Sequence, residues 1–188
     1  DLAAGMAEVI KHGLIAESNL LEQAEKGFWA KNWDRSPSYI GELQRLVAQA
    51  IQVKINIVQA EPFEQGQRSI LNLGHTFAYA IEQVTNNAYR HGEAVSIGLV
   101  AAANLSARLR FCDISLQKQI EGILESVNLP TRIPSEIKPD ALLQAMQRDK
   151  KKRAGQLRFI LLRGIGQAFV SDGISVDAIK DTVSALSG

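Results

Sequence analysis

The sequence predicts a mainly α-helical domain carrying one small β-hairpin, and three observations support this. Apolar residues recur at helical spacing along most of the chain. The stretch richest in strand formers, "QLRFILLRGIGQAFV", is short, and its Arg163-Gly164-Ile165-Gly166 centre suits a tight reversal. The Gly164-Ile165-Gly166 run lacks the third glycine of a dinucleotide fingerprint and follows no βαβ strand, so nothing points to a parallel nucleotide-binding sheet.

The elements follow in order. Helices are expected from about Leu2 to Ile15 and from about Asn19 to Trp29, the second ending near Gly27. "KNWDRSPSYI" reads as a loop, with Pro37 at the entry to a long helix from about Ser38 to Gln59. Leu43, Val47, Ala50, Ile57 and Val58 form its apolar stripe, and Lys54 falls in the middle of it. Pro62 and Gly66 break that helix, and another is expected from about Ser69 to Thr85. Asn86 and Asn87 make a turn. "HGEAVSIGLVAAANLSARL" is apolar nearly all round and therefore a buried helix. Leu116, Ile120, Ile123, Leu124 and Val127 stripe a helix that stops before Pro130. A further helix spans Asp140 to Met146, and Val176, Ile179, Val183 and Leu186 mark the last one.

The totals exclude several classes of function. At 188 residues the chain has the length of about one domain. Twenty-one basic against twenty acidic residues leave a net charge of +1, which gives no reason to expect nucleic acid or an anionic membrane as partner. The single cysteine, Cys112, rules out an internal disulfide framework and a cysteine zinc cluster, and fits a reducing cytoplasm. No apolar run approaches the ~20 residues of a membrane span, and no signal peptide is visible. The chain opens Asp1-Leu2-Ala3-Ala4-Gly5, with its first methionine at Met6, which suggests a domain cut from a longer chain.

The chemistry concentrates in a few places. At about 100° per residue, Arg68, Asn72, His75, Tyr79 and Glu82 share one side of a helix, opposite Ile70, Leu73, Phe77, Ile81 and Val84. A guanidinium, an amide, an imidazole and a phenol are ligand-binding groups, not the Lys/Glu mixture of a solvated face. Lys54, at a core-facing position of its helix, is costly unless it is paired, meets an anion or snorkels. Glu8 and Lys11 are three residues apart on one face, the spacing of an exposed ion pair, yet their flanks are apolar. His75 and His91 lie either side of a turn between helices, which can bring both imidazoles to one point. With Glu8 they would supply the three protein ligands of a catalytic zinc site, while capping is the alternative role for His91. "RDKKKRAG" is a basic turn by default, able to offer lysines to an anion.

"GMAEVIKHGLI", "GQRSILNLGHTFAYAIE", "YRHGEAVSIGL", "LPTRIP" and "RDKKKRAGQLRFILL", in this order, resemble the C-terminal half of 3-dehydroquinate synthase. The resemblance extends over most of the chain. It implies the helical, metal-carrying domain of an enzyme that converts 3-deoxy-D-arabino-heptulosonate 7-phosphate to 3-dehydroquinate and phosphate, a step of the shikimate pathway. It further implies a divalent metal, Zn2+ or one such as Co2+, and NAD held mainly by an N-terminal domain that this sequence does not include. A homodimeric full-length enzyme in the cytoplasm is also implied, with residues 1–188 as one helical metal- and substrate-binding domain that is inactive when isolated. By the same resemblance the metal ligands are Glu8, His75 and His91. Lys11 and Asn72 fall on catalytic positions, and Lys54, Arg68, Lys150 and Lys151 on substrate-binding ones, one of the last two facing inward. Tyr79 stands where the family carries a histidine, and a phenol with pKa near ~10 is a poorer proton shuttle than imidazole at neutral pH. A sister sugar-phosphate cyclase, an iron-type alcohol dehydrogenase and a non-catalytic helical interaction domain are the alternatives. The phosphate-directed set Lys54, Arg68 and Asn72 speaks against the dehydrogenase.

Overall fold

The computed structural model describes residues 1–16, 19–26, 36–61, 66–152 and 157–188; for 67 and 149–152 it describes the backbone alone. Its elements run α1 (Leu2–Ala16), α2 (Leu20–Lys26), α3 (Pro37–Ala60), a 3-10 helix (Gln67–Asn72), α4 (His75–Val84), α5 (His91–Arg108), α6 (Ile114–Ser126), α7 (Pro139–Lys152), β1 (Arg158–Leu162), β2 (Ala168–Asp172) and α8 (Val176–Leu186). The predicted class, mainly α with a single small hairpin, matches this order.

α5 is the axis of the domain. Every residue from Ala94 to Ser106 is buried, and α1, α4, α6, α8 and β1 all pack against it. Its near-uniform apolarity is therefore what its position requires. The few polar groups that it takes inside are satisfied: Ser96 Oγ donates to the Pro130 carbonyl at 2.7 Å, and Asn104 Nδ2 donates to Gln117 Oε1 at 2.9 Å. Ser106 Oγ donates to the Ala102 carbonyl at 2.6 Å and accepts from Leu162 N–H at 2.9 Å. The second bond docks the hairpin onto the core.

The hairpin pairs Arg158 with Asp172 through to Leu162 with Ala168. Its turn closes with Arg163 N–H donating to the Gln167 carbonyl at 3.1 Å, and Gly166 takes a φ of 73°. The predicted Asn86–Asn87 turn is also present, both residues being left-handed at φ 51° and 59°, a region that asparagine tolerates better than most residues. α3 starts where Pro37 placed it, with Ser36 Oγ accepting from Tyr39 N–H at 3.3 Å.

Two expectations are corrected. The helix expected from Ser69 to Thr85 is two pieces, a 3-10 helix and α4, with Leu73 and Gly74 between them. Gly74 has a φ of 79°, and a β-carbon on it would meet the backbone of Leu99 at 2.9 Å. Close packing on α5 thus requires glycine there, and the left-handed backbone ends one helix and begins the next. On α3 the buried residues are Tyr39, Leu46 and Ala50, while Val47 is 41% exposed. The core-facing arc is thus rotated from the expected stripe, and Lys54 is exposed rather than core-facing. The short second helix is described only to Lys26, so its expected end near Gly27 and Trp29 lies outside the described residues. No helix among the described residues is long and apolar enough to cross a membrane.

Candidate metal centre

The first residues of α4 and α5 meet the middle of α1. Gly92, the second residue of α5, lies against the backbone of Ala4 on α1, with no space for a β-carbon between them. Gly98 touches the Gly74 carbonyl in the same way. These two backbone contacts bring Glu8, His75 and His91, one from each helix, to a common point. Their ligand atoms all lie within 4.8 Å of one another.

Each group is held in an orientation of its own. Lys11 Nζ binds Glu8 Oε2 at 2.7 Å. Glu8 Oε1 is buried without a hydrogen-bond partner, and His75 Nε2 and His91 Nε2 each stand 3.7 Å from it. His75 Nδ1 is 3.1 Å from the Leu73 carbonyl, an acceptor, so Nδ1 carries the proton and Nε2 offers its lone pair. His91 Nδ1 is 2.8 Å from Glu82 Oε1. Tyr79 closes one side, edge-on to the His75 ring at 5.3 Å between centroids and stacked on His91 at 6.3 Å.

The electrostatics favour a bare carboxylate beside neutral imidazole. Burial works against the charge of Glu8, but the adjacent Lys11 ammonium outweighs it and holds the carboxyl below the usual carboxylate range. Burial, reinforced by the Lys11 charge, pushes the His75 pKa down. The Glu8–Lys11 pair is thus no exposed surface pair: Lys11 is only 5% exposed, and its own pKa is lowered by burial against the opposing effect of Glu8.

Other expected site residues are distributed around this centre. Lys54 projects its charge onto Lys11 and His12 from α3, so it flanks the site while remaining exposed. Arg68 and Asn72 are half-buried on the 3-10 helix, which packs against α1 and α3. The side chains of Lys150 and Lys151 lie outside the described residues. His91 is not the cap of α5: Arg90 is, and its backbone N–H donates to Glu93 Oε2 at 2.8 Å.

Two residues were not singled out from the sequence. Glu82 was visible only as a member of the polar stripe, and its partner His91 belongs to the next helix. His12, one turn after Glu8 on the same helix, is 7% exposed with neither ring nitrogen hydrogen-bonded. Burial first, then the Lys11 charge, pushes its pKa down to about 4. The i, i+4 spacing from Glu8 was the available signal.

Comparison with known proteins identifies the family and the fold. The family model described as 3-dehydroquinate synthase C-terminal matches residues 5–152. A protein named 3-dehydroquinate synthase from Synechocystis sp. is 38% identical over 97% of the chain and 50% of its own length, and one from Rhizobium meliloti is 40% identical over 93% and 47%. The chain thus spans about half the length of the curated relatives it matches. Among solved structures, 2-deoxy-scyllo-inosose synthase, complexed with carbaglucose-6-phosphate, NAD+ and Co2+, superposes with a TM-score of 0.82 at 24% identity, covering 98% of this chain and 51% of that one. The 2-epi-5-epi-valiolone synthase of Streptomyces hygroscopicus subsp. jinggangensis, with NAD+ and Zn2+ bound, gives 0.81 at 22% identity over 98% and 51%. These likenesses establish the fold. By the match over residues 5–152, the chain belongs to the 3-dehydroquinate synthase C-terminal family.

Proposed function

We propose that this chain is the metal- and substrate-binding half of a 3-dehydroquinate synthase, acting on 3-deoxy-D-arabino-heptulosonate 7-phosphate with Zn2+ or Co2+ and NAD. The observation that carries it is Glu8 Oε1, a buried acceptor without a partner, faced by two imidazole nitrogens whose outer nitrogens are already engaged. One carboxylate and two imidazoles are a donor set that suits zinc and leaves a coordination position open to substrate. Glu8, His75 and His91 would hold the ion, which supplies Lewis acidity toward substrate hydroxyl and carbonyl oxygens.

The protein's own groups do the rest. Lys11 neutralises one oxygen of Glu8 and keeps the other aimed at the imidazoles. Lys54 and Arg68 meet the phosphate and carboxylate with charge-assisted hydrogen bonds, the strong class for such anions. Lys150 and Lys151 fall to the same role by position in the sequence. Asn72 and Tyr79 offer hydrogen bonds to substrate hydroxyls, and the Tyr79 ring limits water access to both imidazoles. The chain carries no dinucleotide fingerprint, so we assign NAD to the portion of the relatives' length that it does not span, and the site to the boundary between the two. Residues 1–188 form one functional unit in this reading, within a cytoplasmic homodimer.

A second reading, a sister sugar-phosphate cyclase, is favoured by Tyr79 in place of the family histidine. Metal analysis of the chain tests the core of both. About one zinc per chain is expected, lost in Glu8→Gln, His75→Asn and His91→Asn; unchanged affinity in all three variants sinks the metal assignment. In the whole protein, phosphate release from the heptulosonate phosphate with appearance of 3-dehydroquinate supports the first reading. Turnover only of a sugar phosphate lacking the carboxylate supports the second.

A further inference from the structure

His91 is the least constrained of the three converging groups. It is the first residue of α5, and its side chain is 49% exposed, against 9% for His75 and 34% for Glu8. A half-exposed imidazole is free to change rotamer and to carry its proton on either nitrogen. Ring packing against Tyr79, 6.3 Å between centroids, and His75, 5.4 Å, restricts its rotamer but cannot choose which nitrogen carries the proton.

A single contact does. Glu82 Oε1 lies 2.8 Å from His91 Nδ1, and the Glu82 side chain is itself only 18% exposed, so its own position is restricted. An ionised carboxylate can only accept, which requires the proton on Nδ1 and leaves Nε2 as the bare nitrogen. Nε2 is the atom that faces Glu8 Oε1. His75 receives the same service from the Leu73 carbonyl, a backbone group. For His91 the task falls to a side chain on another helix.

We propose that Glu82 is a positioning residue of the metal site, holding His91 in the tautomer and rotamer that present Nε2 to Glu8 and His75. The inference rests on the metal reading above and adds to it a residue that touches neither metal nor substrate. A carboxylate behind a ligating imidazole raises its basicity as well as fixing its direction.

Two readouts test this on the full chain, with circular dichroism to confirm folding. The first is titration with Co2+ followed by its visible absorption. Glu82→Ala is expected to weaken binding by about 10–100-fold. Glu82→Gln keeps an acceptor but not the charge, so it is expected to lose less. The second needs no metal: nitrogen-15 NMR of His91 at about pH 8.5, where an ordinary imidazole is neutral. The unaltered chain is expected to show the Nδ1–H form, and Glu82→Ala a mixture dominated by Nε2–H. Co2+ binding by Glu82→Ala within about twofold of the unaltered chain, with Nδ1–H retained, overturns the inference and leaves the metal reading standing. A lowered melting temperature without either change makes Glu82 merely structural and overturns it too. Failure of the unaltered chain to bind Co2+ overturns the metal reading, and the inference falls with it.

Discussion

Gly92 on α5 and Ala4 on α1 touch backbone to backbone, and no β-carbon fits between them. This contact sets how close Glu8, one turn further along α1, comes to His91, the neighbour of Gly92. Overpacking a close contact of this kind typically costs about 1–3 kcal/mol. Gly92→Ala is therefore expected to lower stability by about that amount and to weaken zinc binding, because relief of the clash moves α1 away from α5. Denaturant unfolding and a zinc titration of the same variant check both. Unchanged zinc affinity would show that the ligand triangle does not depend on this crossing.

Stability should fall as the pH drops below neutrality. His12 has its pKa pushed down to about 4 in the folded chain from an ordinary value of 6.5. Between those values the unfolded chain binds a proton that the folded one does not, so unfolding is favoured progressively from about pH 6.5 to about pH 4. The full effect is of order 3 kcal/mol at about 1.4 kcal/mol per unit. Glu8, with its carboxyl held low, acts in the same direction at lower pH. The melting temperature of His12→Phe should depend less on pH across this window than that of the unaltered chain. An identical pH slope in the two proteins counts against a buried neutral His12.

Ser106 bridges the hairpin and α5. Ser106→Ala removes the acceptor of Leu162 N–H at a fully buried position, and an orphaned buried donor costs about 1–3 kcal/mol. A loss of that size in denaturant unfolding is expected, with zinc affinity unchanged, since Ser106 lies at the opposite end of α5 from His91. A drop in zinc affinity would mean that the hairpin and the candidate centre are mechanically coupled.

Tyr79 lies against both imidazoles, and by the resemblance of its motif it stands where a histidine is expected. In the whole protein, Tyr79→His is expected to raise kcat, by ~10²-fold, the lower end of general acid–base contributions. Tyr79→Phe is expected to lower it with little change in metal content, because the ring contacts remain. If kcat is the same in all three proteins, Tyr79 is a packing residue and the proton takes another route.

The isolated 188-residue chain is expected to release no phosphate from the heptulosonate phosphate, since nothing in its sequence forms a dinucleotide loop. Phosphate release by the purified chain, supplied with NAD and zinc, would overturn the assignment of NAD to another part of the protein.

Much of the architecture was legible in local chemistry. Helical period marked α1, α5, α6 and α8, Pro37 marked the start of α3, and paired asparagines marked the turn before His91, because each depends on neighbours within a few residues. The identities of the candidate ligands were legible too, since few side chains can hold a metal and histidine is scarce here. The rest depended on distances between helices. The rotation of α3 that exposes Lys54, the burial of Lys11, and Gly74 as a left-handed joint against α5 all follow from where other helices pack. The pairing of Glu82 with His91 joins two helices across a turn whose geometry no periodicity reports. A hydrophobic period states which face of a helix seeks the core, but not which side chain of another helix will stand opposite it. That is decided by backbone approach at Gly92 and Gly98, where the absence of a side chain lets the helices come close enough for three ligand atoms to meet.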